Sequence, residues 1–113
     1  MKTANKISVK ELSAMAEKMY GSIVKAVVDL QKQSLVVDAE MHADIEAFLL
    51  ENGSSQQDLW GINLYPEKFG TDEFVEFDSM INIRPRQKNM SRYVEDPTIR
   101  KQILDLVTRK ITE

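Results

Sequence analysis

Apolar and polar side chains alternate along three stretches of this 113-residue chain, and this alternation constrains the fold more than any other feature. Strict alternation is typical of a strand with one buried face, because successive strand side chains point to opposite sides of a sheet. The stretches are Ile23–Leu30, Leu59–Tyr65 and Phe74–Arg84, and the last two are each ended by a proline. With the short return segment Leu35–Val37, they predict four strands that pair mainly as antiparallel hairpins.

Three helices are predicted between and around these strands. The sequence Ser8-Val9-Lys10-Glu11 is a capping box, which indicates a helix over about residues 8–20. Asp38 is a candidate N-cap for a second helix that ends before Gly53. Asp96 followed by Pro97 is typical of a third helix start, and the helical spacing continues to about residue 111.

These elements predict an α+β fold with the order αββαββα. We expect one mainly antiparallel four-stranded sheet packed by helices on one face. The length and the 42% hydrophobic content suit one hydrophobic core, so residues 1–113 are predicted to form a single domain, with residues 1–7 flexible.

The composition excludes several classes of function. There are no cysteines, and His42 is the only histidine, so thiolate and histidine-rich metal sites are excluded and no metal or cofactor is expected. The four glycines are scattered, so no glycine loop can hold a nucleotide. The longest apolar run has four residues and no signal-peptide pattern is visible, which favours a cytoplasmic protein without membrane contact.

Charge is distributed unevenly along the chain. Residues 1–80 carry seven lysines against fourteen acidic residues, whereas residues 81–113 carry eight basic residues against four acidic ones. The segment 81–92 contains no acidic residue and concentrates four basic side chains: Arg84, Arg86, Lys88 and Arg92. Arginine binds phosphate or carboxylate oxygens in a bidentate manner, so this segment predicts a site for a phosphate-bearing ligand, either RNA or a nucleotide. Alternatively, the same arginines pair with native acids such as Glu76 and Asp78.

A second polar group is predicted where the third and fourth strands pair. That pairing would bring Asn63 near Glu76, with Tyr65 and Asp78 on the same face. Two carboxylates and an amide could bind a cation or act as general acid and base in a small hydrolase, although a solvent-exposed sheet face has the same composition. Whether the protein is an enzyme is left open, and no catalytic residue is assigned. The candidate ligand-binding residues from both groups are Asn63, Tyr65, Asn82, Arg84, Arg86, Asn89 and Arg92.

Two stretches of the sequence resemble a small prokaryotic family of proteins of unknown function. They are Asp58–Pro66, which contains WGINLYP, and Phe77–Pro85, which contains FDSMINIRP, followed by Asn89 and Arg92. The resemblance implies a bacterial or archaeal cytoplasmic protein and brings no activity or cofactor. An alternative function is a structural or protein-interaction module that forms a homodimer through the exposed edge of the strand Leu35–Asp38.

Overall fold

Helices and strands account for most of the chain in the computed structural model, which describes residues 1–113. The helices are α1 (Val9–Met19), α2 (His42–Glu51) and α3 (Pro97–Lys110). The strands are β1 (Lys2–Ala4), β2 (Ile7–Ser8), β3 (Val24–Asp29), β4 (Ser34–Val37), β5 (Leu59–Leu64), β6 (Val75–Glu76) and β7 (Ile111–Thr112). No helix combines the length and the apolar character that a membrane span requires.

The local capping signals place α1 and α3 correctly. Ser8 accepts a hydrogen bond from the Glu11 backbone and Glu11 caps the Ser8 backbone in return, which is the predicted capping box. Asp96 caps α3 through the Thr98 N–H, with Pro97 as its first residue. The predicted cap of α2 is wrong: Asp38 lies in a left-handed turn with φ of 70°, and α2 begins after Met41.

The main sheet is antiparallel and has five strands in the order β1-β4-β3-β5-β6, not the four predicted. The fifth is β1, which pairs with β4 from Lys2 opposite Val37 to Ala4 opposite Leu35. Residues 1–7, which are predicted to be flexible, thus contain β1 and the first residue of β2. Ala4 and Ile7 are buried, and β2 pairs in parallel with β7 in a separate small sheet. The β4 edge proposed for a homodimer is covered by β1.

The helices lie on both faces of the sheet, in contrast to the single face predicted. The larger core joins one face of the sheet to α1 and α3 through residues such as Ile62, Leu12 and Leu106. The smaller core lies on the opposite face, where Val27 and Leu59 pack against Ile45 of α2. Strand β3 is therefore buried on both faces in its central part.

The predicted strand over residues 74–84 is wrong beyond Glu76. The chain leaves the sheet after β6 and forms two short 3₁₀ turns, Met80–Asn82 and Pro85–Gln87. By the alternation of this stretch, Phe77, Ile81 and Ile83 would share the buried face of a strand. Instead Ile83 is 39% exposed, and Phe77 and Ile81 are only partly buried. The segment 77–95 that replaces the strand carries most of the predicted site residues.

Candidate functional site

The side chain of Asn82 occupies the place that a longer β6 would have taken beside β5. Its Oδ1 accepts a hydrogen bond from the Gly61 N–H at 2.8 Å, and its Nδ2 donates to the Gly61 carbonyl oxygen at 3.0 Å. The same Nδ2 also donates to the Arg92 carbonyl oxygen at 3.0 Å. The carboxamide thus pairs with Gly61 as a peptide group of a neighbouring strand would, and it holds the segment 77–95 against the sheet.

A second buried amide, Asn89, holds the turn that follows. Its Nδ2 donates to the carbonyl oxygens of Asn82 and Tyr93, each at 2.7 Å, and its Oδ1 accepts from the Glu95 N–H at 2.9 Å. The backbones of Asn89 and Arg84 exchange two hydrogen bonds, with Lys88 in the left-handed region at φ of 61°. Asn82 and Asn89 therefore fix the loop from within, and their polar atoms are committed to the protein.

Arg84 is buried as a cation without a carboxylate partner. Only 7% of its surface is exposed, its guanidinium donates to the Gln56 and Leu59 carbonyl oxygens, and its Nε has no hydrogen-bond partner. The guanidinium carbon lies 4.1 Å from the centre of the Trp60 ring, which is a cation–π contact. Burial lowers the pKa of Arg84, while the negative charges of Glu46 and Asp58 raise this pKa in part. Neither acid comes within salt-bridge distance.

Arg84 also lines a cleft of about 500 Å³, which we name the arginine cleft. It is lined by Gln56, Gln57 and residues 83–87. Arg86 lies on it as an exposed side chain, and Lys88 is exposed on the same turn. Neither of these two basic residues forms a salt bridge. The positive charge of the cleft is therefore not neutralised by contacting carboxylates.

The remaining predicted residues lie beside carboxylates. Glu76 accepts hydrogen bonds from Asn63 Nδ2 at 2.8 Å and from the Tyr65 hydroxyl at 2.9 Å. Burial and the bond to Glu76 raise the pKa of the Tyr65 phenol. Arg92 forms a salt bridge to Asp78 at 2.6 Å, which is the alternative pairing considered for this arginine.

The structure thus divides the seven candidate residues into three groups. Arg84 and Arg86 meet at the arginine cleft, Asn82 and Asn89 form the internal support of the loop, and the other three contact Glu76 or Asp78. Gln56 and Gln57 are not among the predicted residues, because their only signal in the sequence is a run of polar residues before β5. The contact of Arg84 with the Trp60 ring has no signal in the sequence. No group of three or more acidic or histidine side chains is placed to hold a metal ion.

His42 is a separate titratable group next to this region. Its Nε2 lies 2.8 Å from the Ile62 carbonyl oxygen, so that nitrogen carries a proton and donates it. Burial lowers the pKa of the His42 ring, and the charges of Lys25 and Arg92 lower it further, whereas the Ile62 bond and Asp78 oppose this shift. The folded protein therefore resists protonation of His42.

We expect the free energy of unfolding to fall as the pH decreases below about 6.5, where His42 of the unfolded chain becomes protonated before that of the folded protein. His42→Gln keeps a donor for Ile62 but does not titrate, so the decrease that begins below about pH 6.5 should disappear. Urea unfolding at several pH values measures the free energy of unfolding of the unmodified protein and of the His42→Gln variant. Because the chain has one histidine, an unchanged pH dependence in the variant would contradict the prediction.

The comparisons with known proteins give a family and nothing further. The model of a family described as "Protein of unknown function (DUF5674)" matches residues 2–110, which is nearly the whole chain. No curated protein and no solved structure matches the sequence.

Proposed function

We propose that this chain, which belongs to the DUF5674 family of proteins of unknown function, binds a phosphate-bearing ligand in the arginine cleft. The observation that supports this most directly is the buried guanidinium of Arg84. Arg84 lines the cleft and contacts no carboxylate, and its Nε is buried without a hydrogen-bond partner. A bound anion would supply the missing counter-charge.

Burial of the Arg84 cation carries an energetic cost. Removing a charged group from water costs several kcal/mol unless opposite charge and hydrogen bonds compensate for the lost solvation. The carbonyl oxygens of Gln56 and Leu59 and the Trp60 ring provide part of this compensation for Arg84. Glu46 and Asp58 act only from a distance. A phosphate would complete the compensation because guanidinium binds its oxygens in a fixed, bidentate geometry.

The size and the lining of the cleft favour a ligand larger than phosphate itself. A volume of about 500 Å³ falls within the range of small-molecule sites. Ile83 and Pro85 are its only residues without polar side chains, and the amides of Gln56, Gln57 and Gln87 could donate and accept hydrogen bonds. Gln87 already donates to the Gln57 carbonyl oxygen at 3.1 Å, which joins the two sides of the cleft. These groups suit a nucleotide or one nucleotide unit of RNA.

The exposed Arg86 provides the test. Arg86→Ala should weaken binding about tenfold, because one charge-assisted contact to phosphate is lost, and should leave the melting temperature unchanged. The control is Lys101→Ala, which removes an exposed charge of α3 that pairs with Asp105. Calorimetric titration with pyrophosphate, AMP and an eight-nucleotide oligouridine measures the affinities.

The salt dependence of the RNA titration counts the phosphate contacts. With Arg92 paired to Asp78, we expect a log–log slope of about −1.4 to −2.1, corresponding to two or three contacts on a single strand. Much tighter binding of the oligouridine than of AMP would identify RNA as the ligand class, and equal affinities would identify a single nucleotide. Absence of binding by all three probes at millimolar concentration, or equal affinities of the Arg86 and Lys101 variants, would refute the proposal.

A further inference from the structure

The outer edge of the main sheet at β6 is not paired with another strand. The Tyr65 N–H donates to the Phe74 carbonyl oxygen at 2.9 Å, so the next pair in register, Leu64 and Val75, face each other without hydrogen bonds. The N–H and C=O of Val75 therefore point away from β5. No loop or side-chain hydrogen bond involves the backbone of Val75 or of Phe77, two residues further on. This edge can accept another strand.

Two cavities adjoin this edge, and both are lined by Val75 and Phe77. The second also includes Tyr65 and Glu76, which by strand alternation belong to the opposite face of the sheet from Val75. The first has a volume of about 580 Å³ and lies between residues 69–77 and α3, where Phe69, Phe74 and Val107 make it mainly apolar. The second has a volume of about 450 Å³, and its lining adds three charged side chains, Lys68, Glu73 and Glu76, to apolar and aromatic ones. Successive side chains of a strand point to opposite faces, so an added strand would direct its side chains alternately into the two cavities.

The charge of the second cavity indicates which side chain it would accept. Glu73 and Glu76 line it together with Lys68, and Lys68 already pairs with Glu73 at 3.1 Å. Glu76 accepts hydrogen bonds only from the neutral groups of Asn63 and Tyr65. A lysine or arginine at this position would neutralise Glu76, whereas an acidic residue would be repelled.

From these features we infer that the β6 edge binds an extended segment of a partner protein, in which a large apolar side chain alternates with lysine or arginine. The backbone groups of Val75 and Phe77 would pair with the segment, the apolar side chain would enter the first cavity, and the basic side chain would contact Glu76. A second copy of this chain fits less well. Pairing two β6 edges would place acidic residues opposite acidic residues, and like charges in that position are destabilising.

A pair of synthetic peptides tests the inference. The probe is capped Leu-Lys-Val-Lys-Leu-Lys, and its control, Leu-Leu-Val-Lys-Lys-Lys, has the same composition and charge without the alternation. We expect the alternating peptide to bind at least about tenfold more tightly, because only it can place apolar and basic side chains on opposite faces. Its binding should also slow hydrogen exchange of the Val75 and Phe77 amides, which electrostatic attraction alone would not do.

Protein variants locate the contact. Glu76→Lys should weaken binding of the alternating peptide about tenfold, whereas Glu51→Lys, the same change at the exposed end of α2, should leave it unchanged. Arg86→Ala should also leave it unchanged, which separates this surface from the arginine cleft. Equal binding of the two peptides, or binding without slower exchange at Val75 and Phe77, would overturn the inference. Self-association that protects these amides in the absence of peptide would overturn it in favour of a second copy.

Discussion

Replacing Asn82 by aspartate should lower the free energy of unfolding by about 3–5 kcal/mol, a large part of the stability of a domain of this size. The Asn82 side chain is fully buried, and its Nδ2 donates to the carbonyl oxygens of Gly61 and Arg92. Aspartate would place an oxygen against these two acceptors and would carry a buried charge. Without the hydrogen bonds of Asn82, the segment that positions Arg84 should become mobile, and the affinity of the arginine cleft for its ligand should therefore decrease.

Urea unfolding followed by the fluorescence of Trp60, the only tryptophan, measures the effect. Asn52→Asp is the matched control, because Asn52 donates a single side-chain hydrogen bond, to the Phe48 carbonyl oxygen at 2.7 Å, at an exposed helix end. That variant should lose no more than about 1 kcal/mol. A loss of similar size in both variants would show that Asn82 does not act as a substitute for a strand neighbour.

The elements that the sequence predicts correctly are those whose signals are local. The capping box of α1 and the Asp96-Pro97 start of α3 involve residues three or fewer positions apart. The alternation in β3 and β5 also indicates correctly which side chains face the larger core. In β3, for example, Val24, Ala26 and Val28 all contribute to it. In each case neighbouring residues determine the conformation, and tertiary contacts agree with them.

The elements that the sequence misses depend on contacts between distant parts of the chain. The alternation of residues 74–84 predicts a strand, but the Asn82 side chain pairs with Gly61 in its place, and alternation carries no information about such a substitution. The N-terminal strands have little signal, since β1 and β2 contain only three and two residues. One signal was present: Val27, Val36 and Leu59 are apolar although they alternate with residues of the larger core, and they form the core under α2.

In the candidate site too, the sequence indicates local features but not the contacts between distant parts of the chain. Clustering of basic residues is visible in the sequence and leads to Arg84 and Arg86. The sequence does not indicate which arginine is buried, because arginine is usually a surface residue and the burial of Arg84 depends on the Trp60 ring and on two carbonyl oxygens near the start of β5. The sequence offers Asp78 as a partner for any of these arginines, and it does not indicate that Arg92 is the one that pairs with it. In the structure, the candidate ligand site is therefore the arginine cleft and not the whole basic segment.

Gly61→Ala should lower the free energy of unfolding by about 2–4 kcal/mol, because the position opposite the Asn82 amide has no space for a side chain. A Cβ at residue 61 would lie 2.6 Å from both Cβ and Oγ of Ser79. Ser79 cannot easily move away, since its N–H donates to the Arg92 carbonyl oxygen at 3.1 Å. Gly61 does not adopt a positive φ, so alanine causes no backbone strain there. The decrease in the free energy of unfolding is therefore due to the steric contact with Ser79.

A double-mutant cycle with Ser79→Gly tests this cause. Ser79→Gly alone should be destabilising, because it removes the Oγ that accepts from the Ile81 N–H. In the double variant the two side chains no longer collide, so the combined loss should be smaller than the sum of the single losses by at least about 1 kcal/mol. Gly70→Ala serves as a control for backbone strain alone, since Gly70 has a φ of 86° and no neighbour within 4 Å of the added Cβ. Additive losses for Gly61→Ala and Ser79→Gly would mean that alanine at residue 61 destabilises the sheet by a route other than contact with Ser79.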